Sequence, residues 1–197
     1  MHGDAVALGA LFIATMSFTP GPANLSMLSV GASVGVSRAL PYLVGIWLGG
    51  LAVIMSGAAG LGALFATAPQ LFFGLKIAGF TYICWLAWRL ARAGFGGHSH
   101  EVAPSFWAGA GLHPVNPKAY VQSAMVFSTF VTRDAAYLPQ AALLVVLCFV
   151  MMMMATALWG MGGDAIRRFV QDDRAMRAIS VLASLFMVVS VGAAIAL

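Results

Sequence analysis

The chain predicts an all-α integral membrane protein, with six transmembrane helices arranged as two inverted three-helix repeats and with the first and fourth helices broken at proline motifs. Three observations carry this. The 197 residues are 61% hydrophobic and only 8% charged, with a mean hydropathy of +0.94. Soluble domains are about 45–50% apolar and about 25% charged, so these few charges do not cover a water-soluble core of this length. Six stretches each supply the roughly 20 mainly apolar residues that a spanning helix needs. Two of the six, three spans apart, carry prolines at their centres.

The first span covers about 5–34 and is interrupted by "FTPGPANL", residues 18–25. Only Met1-His2-Gly3-Asp4 precede it, without Lys or Arg, and no Ala-x-Ala site closes it, so it is expected to be a retained span rather than a signal peptide. The second span, 39–66, is rich in glycine. "GASVG" (Gly31, Gly35) and "GIWLG" (Gly45, Gly49) are small-residue faces that let helices pack closely. The third, 70–90, carries Lys76 six residues in, near enough to the end for its stem to snorkel outward.

A polar link, "RAGFGGHSHEVAPS" at 92–105, then divides the chain. The expected organisation is a first repeat over 1–93, a cytoplasmic linker over 94–105 and a second repeat over 106–197. The fourth span, 106–131, contains "GLHPVNPKAY" at 111–120. The fifth, 136–162, contains Met151 to Met154; four consecutive methionines point all round a helix, which suits packing or lipid contact better than a copper site. The sixth covers 178–197.

Charge sets the orientation. Arg38, Arg89, Arg92, Arg167, Arg168, Arg174 and Arg177 flank one set of span ends, whereas the opposite set has Arg133. The positive-inside rule puts the first set in the cytoplasm and both termini in the periplasm. The ten Lys and Arg residues are scattered between apolar runs, so no nucleic-acid partner is expected. Cys84 and Cys148 stand alone in apolar stretches and are read as packing residues. His98 and His100 are too sparse for a metal site. No metal or cofactor is expected. The partners are the lipid bilayer and a small-molecule substrate, with a homo-oligomer left open.

The breaks need a reason. A proline within a helix removes a donor and clashes with the preceding turn, at roughly 3 kcal/mol or more. In lipid, each freed backbone group costs several kcal/mol unless protein or a watery cavity meets it. One such break is commonly a packed kink. Two at matching places in opposed three-span halves are a pointer to a midplane binding site in secondary transporters. Asn116 is placed to cap the second half-helix, with Pro117 in the first position; Pro22 stands in the same way after Gly21, and Asn24 can reach freed backbone. Half-helices that start there direct positive dipole ends at the midplane, where they favour a carboxylate.

Lys118 lies about twelve residues, or ~18 Å, from either end of its span, too deep to snorkel. A cation at this depth costs roughly 2.5–3.5 kcal/mol on insertion scales. The acidic residues Asp4, Glu101, Asp134, Asp164, Asp172 and Asp173 all lie near span ends or in loops. The missing anionic partner is therefore a candidate ligand, with unwound carbonyls as the alternative. His113 is a candidate proton carrier and equally fits a hydrogen-bonded packing histidine.

"TPGPANL" in the first span, the Gly-rich second span, "LKIAGFTYICWLAWRL" at 75–90 and "NPKA" at 116–119 together resemble the LysE/RhtB family of amino-acid exporters, in order over nearly the whole chain. The resemblance implies a bacterial inner-membrane exporter of amino acids or close derivatives, driven by the proton gradient rather than ATP. It also implies functional weight on Pro20, Gly21, Pro22, Asn116, Pro117 and Lys118. Two segments depart from the family pattern. Ala23 follows the second proline where the family often has Asp or Asn, and the fourth span closes with "FSTFVTR" at 127–133 rather than a Phe-Pro-Gln-Phe type segment.

The substrate site expected from both lines comprises Pro20, Gly21, Pro22, Asn24, Asn116, Pro117 and Lys118, with carboxylate on Lys118 and the half-helix amides. Unwound carbonyls and Asn24 or Asn116 receive the ammonium. No catalytic residue is expected: Ser26, Ser29 and His113 offer the residue types of an intramembrane hydrolase but no diagnostic spacing. No GxxxxGK[ST] loop occurs, which excludes ATP drive within this chain. The alternative is a cation or metal-ion exporter on the same fold, for which the span centres lack Asp, Glu or paired His.

Overall fold

The computed structural model describes residues 3–60, 67–93, 105–131, 137–170 and 172–196, and the regular structure among them is helical throughout. The expected linker 94–105 lies outside these residues except for Ser105, as do His98, His100 and Arg133. Lys76 sits on a described helix, but its side chain lies outside the described part.

The first apolar stretch is two helices, α1 (Gly3–Phe18) and α2 (Pro22–Val34), because Pro20 and Pro22 cannot donate to a continuous ladder. Helix α3 (Val36–Ala58) follows after a single residue, Gly35. Gly35 has φ 81°, a left-handed conformation that suits glycine, so it is the hinge between α2 and α3. The sequence reading took it for the second half of a packing face. Helix α4 covers Pro69–Ala93. The fourth stretch is also two helices, α5 (Phe106–Ala110) and α6 (Pro117–Thr129). Helices α7 (Tyr137–Phe169) and α8 (Asp173–Ala196) complete the chain.

By length and composition, α3 and α7 are the two helices able to cross a bilayer as single rods among the described residues; Ala7–Phe18 and Phe73–Trp88 are shorter apolar segments. The breaks account for the first and fourth stretches, whose pieces are 16, 13, 5 and 13 residues long.

Glycines set the crossings. A Cβ on Gly31 would collide with the Gly160 carbonyl, and one on Gly163 with the Leu28 carbonyl, so α2 and α7 touch backbone to backbone. Gly45 and Gly49 on α3 meet the carbonyls of Phe106 and Ala110 in the same way, and Gly109 meets that of Tyr42. This is the small-residue packing that the "GIWLG" segment predicts. Further along α3, Gly57 faces Ser123. Helix α3 therefore runs alongside α5 and α6 in one direction. Helices α1 and α2 run alongside α7, from Ile13 near Leu144 to Gly35 beside Asp164 and Arg167. Each broken stretch thus packs on an unbroken helix from the other half of the chain, while α4 packs on α8.

The buried faces form two large apolar clusters and a small one around Ala32. Of the large ones, one gathers Met27, Tyr42, Ile46, Ile83 and Leu112; the other gathers Ile13, Val126, Leu144 and Cys148. The outer face is also apolar, with Leu48, Phe73, Val146, Val150, Leu158 and Phe186 exposed. An outside as oily as the inside is what lipid requires and water penalises. Trp85, Trp88 and Trp107 are exposed as well, in keeping with an aromatic belt at a membrane interface.

Candidate functional site

Thr19, Pro20 and Gly21 form the first break, and Gly111 to Asn116 the second. Four carbonyls at the first break are engaged by side chains. Met16 O accepts from Thr19 Oγ1 at 2.9 Å, Ser17 O and Thr19 O accept from Asn24 Nδ2 at 2.8 and 2.9 Å, and Phe18 O accepts from Trp159 Nε1 at 3.3 Å. Asn24 is thus a brace across the break, as its position after Pro22 suggests. Each carbonyl keeps a second lone pair. At the second break Asn116 Oδ1 accepts from the Lys118 amide at 3.1 Å, the cap that the sequence predicts, with Pro117 in the first helical turn.

The two breaks meet through one side chain. Lys118 Nζ donates to Thr19 Oγ1 at 3.1 Å, and it lies 3.5 Å from where a Cβ on Gly21 would stand. Gly21 therefore stands beside the ammonium at the first break. Among the described residues the carboxylate in ion pairs is Asp164, with Arg167 and Arg168, at the far end of α7. Lys118 is not in salt-bridge range of a carboxylate among the described residues.

Beside Lys118 lies a cavity with about 70 Å³ of room for water centres, enough for several waters at about 10–15 Å³ each. Ser17, Thr19, Asn24, His113, Asn116, Lys118, Gln122 and Thr156 give it polar groups, while Met16, Val53, Ile54, Cys148 and Met152 give it an apolar wall. The apolar wall also carries two sulfur atoms from α7 and one from α1. Thr156 Oγ1 donates to Met152 O at 2.8 Å and accepts from Trp47 Nε1 at 3.0 Å, which ties the α7 wall to α3.

Of the residues picked from the sequence, Gly21, Pro22, Asn24, His113, Asn116 and Lys118 line this cavity. Pro20 and Pro117 do not. Pro20 is exposed, and the Pro117 ring is turned toward Gly79 of α4. Both shape the backbone rather than the wall. Cys148, read as packing, is buried and also on the wall. Met152 reaches the cavity whereas Met154 faces outward, as four consecutive methionines on one helix must. Ser26 and Ser29 lie off the cavity that holds His113. Thr19, Gly50, Gln122 and Thr156 were not picked from the sequence. Gln122 alone had a readable signal, one helical turn after Lys118 on the same face.

Among the described residues no cluster of three or more His, Cys, Asp or Glu side chains exists that could hold a metal. The arrangement can instead hold a small zwitterion, with a fixed cation and half-helix amides at one pole and an apolar wall at the other.

Comparison with known proteins fits that chemistry. A cysteine/O-acetylserine efflux protein of Escherichia coli O139:H28 is 29% identical over 177 residues, 89% of this chain and 91% of its own length. One of Shigella flexneri is 29% identical over 190 residues, 94% of this chain and 97% of its own. No solved structure matches the chain. Residues 14–197 match the model of the LysE type translocators. The resemblance read from the Pro-Gly-Pro and Asn-Pro-Lys-Ala segments is thereby borne out, and the chain belongs to the LysE type translocator family.

Proposed function

We propose that this chain exports a small neutral amino acid, of the cysteine and O-acetylserine type, across the bacterial inner membrane by proton-driven secondary transport. The observation that carries the reading is Lys118. It is a cation held between two broken helices, beside a cavity, without a carboxylate in range among the described residues. An amino-acid carboxylate completes it, assisted by the first-turn amides of α2 and by the positive dipole end of α6. The second lone pairs of the first break's carbonyls are available to the ammonium. A cationic side chain has no acidic partner on the wall, and a large one has no room. A short neutral side chain fits against Cys148 and Met152. The names of the matching relatives point to the same substrate class.

The transport mode rests on architecture. Two three-helix repeats, residues 1–93 and 106–197, give six spans, and the reciprocal packing of α2 on α7 and of α5 and α6 on α3 is what an inverted repeat produces. Rocking one half against the other then opens the cavity to each side in turn. The end that brings Gly35 beside Asp164 and Arg167 also carries Arg38, and the positive-inside rule places that end in the cytoplasm and both termini in the periplasm. A cation or metal cargo is disfavoured by the fixed positive charge of Lys118 at the wall. Such a reading as an exporter also leaves no enzyme activity to assign.

The test is transport into and out of proteoliposomes carrying the purified protein, preloaded with labelled cysteine, O-acetylserine, threonine or lysine and given a pH gradient. Gradient-dependent movement of the short neutral amino acids is expected, with lysine left behind. Movement of a divalent metal with no amino acid would overturn the reading.

A further inference from the structure

A histidine on the cavity wall has a buried ring nitrogen that the fold leaves unanswered. His113 stands in the turn between α5 and α6, and its Nε2 is buried with no hydrogen-bond partner among the described residues. Among the described residues three hydroxyls share that condition, on Ser29, Tyr42 and Ser184, and none of those three lines the cavity. The ring is held in place. A Cβ on Gly50 of α3 would come 3.0 Å from His113 Cδ2, so the imidazole packs where α3 has no side chain. A buried polar atom without a partner is costly to keep. On the wall of a substrate cavity, it is the place where a ligand or a proton completes the set.

We propose that His113 Nε2 is the proton-coupling site, taking in alternation the ammonium of the outgoing amino acid and a proton from the periplasm. The inference rests on the export reading above. With its own proton on Nδ1, the imidazole presents one lone pair at Nε2. That pair accepts a hydrogen bond from the ammonium or binds a proton, never both. The two therefore compete for one position, while Lys118 holds the carboxylate.

The exchange balances. A zwitterion of zero net charge leaves, one proton bound at Nε2 crosses inward and is released to cytoplasmic water, and one positive charge enters per amino acid exported. Imidazole is the side chain whose ordinary titration falls near neutral pH. Among the described residues the other titratable groups on the wall are Lys118 from α6 and Cys148 from α7, while the described lining residues of α1, α2 and α3 present none. On α4 the Tyr82 hydroxyl is engaged by the Ala108 carbonyl at 3.0 Å.

The test compares two assays in proteoliposomes of wild type, His113→Gln and His113→Asn. Counterflow, the exchange of labelled for unlabelled cysteine or O-acetylserine without any gradient, reads binding and alternating access. Accumulation under an imposed pH gradient or membrane potential reads coupling. The proposal expects both in the wild type. In the variants it expects counterflow to persist with a several-fold weaker apparent affinity, because the ammonium loses its Nε2 acceptor, and gradient-driven accumulation to fall to equilibration. A variant that still accumulates substrate against its concentration under a proton gradient overturns it. Absence of counterflow in the wild type overturns the export reading instead, so the two failures are separable.

A measurement on the wild type alone guards against variants that do not fold. In weak buffer slightly below neutral pH, adding saturating amino acid to the purified protein should release up to about one proton per molecule bound, by linkage. Binding without proton release at any pH between 5 and 8 overturns the proposal.

Discussion

Lys118 Nζ lies 3.1 Å from Thr19 Oγ1, so one side chain joins the break in the first half of the chain to the break in the second. Asn116 caps α6 one residue before Pro117, which places Lys118 in the first turn, facing the opposite break. A single hydrogen bond to a hydroxyl leaves two of the ammonium's three donors for a ligand.

Lys118→Met removes the cation and should abolish transport, while helix content in circular dichroism stays at the wild-type level. Thr19→Val removes one hydrogen bond to a charged group, worth about 1.5–3 kcal/mol. It should lower apparent substrate affinity by roughly tenfold without abolishing transport, because the cation remains. Initial rates against substrate concentration in proteoliposomes separate the two outcomes.

The braces should matter unequally. Asn116→Ala removes one cap bond, costing about 1 kcal/mol, and Asn116→Asp should restore it. Asn24→Ala leaves two carbonyls, those of Ser17 and Thr19, without their side-chain donor. Unsatisfied buried groups cost about 1–3 kcal/mol each. The thermal midpoint in detergent should therefore fall further for Asn24→Ala than for Asn116→Ala.

Glycine positions give a matched pair. Gly31→Ala drives a methyl into the Gly160 carbonyl, which is backbone and cannot rotate away, so it should destabilise the α2–α7 crossing. Gly74→Ala on α4 meets nothing within 4 Å and gains helix propensity of up to about 1 kcal/mol. Midpoints of unfolding should move in opposite directions. A similar loss at both positions would mean that the close crossing is unimportant.

Much of this arrangement was legible in the residues, and the limits have physical reasons. Proline and glycine act through their own backbone chemistry, so Pro20-Gly21-Pro22 and Asn116-Pro117 fixed the breaks, the cap and the depth of Lys118. Thr19, Gly50 and Thr156 escaped because membership of a cavity depends on helix rotation and crossing, which no local pattern encodes. Gly35 was taken with Gly31 as a packing pair since both are small and four apart; a positive φ and an end-of-helix position cannot be seen in spacing alone. Pro20 and Pro117, expected at the site, lie off the cavity wall for a related reason. A residue that creates a break need not face the space the break opens.

Cys148 offers a probe of the cavity in a Cys84→Ser background. Its sulfur is on the wall with Met152 and Thr156. Alkylation by a small maleimide should block transport, and saturating amino acid should slow the labelling several-fold. Labelling unaffected by substrate would place the ligand elsewhere.

The proposed function puts a substrate carboxylate on Lys118 between the two breaks. Its most direct test is equilibrium binding of labelled cysteine or O-acetylserine to purified wild type and Lys118→Met, each challenged with the free amino acid and with its carboxamide. Wild type should bind the acid at least tenfold more tightly than the amide, and Lys118→Met should lose this preference together with most of its affinity. Equal binding of acid and amide by the wild type, or undiminished binding by folded Lys118→Met, would contradict it.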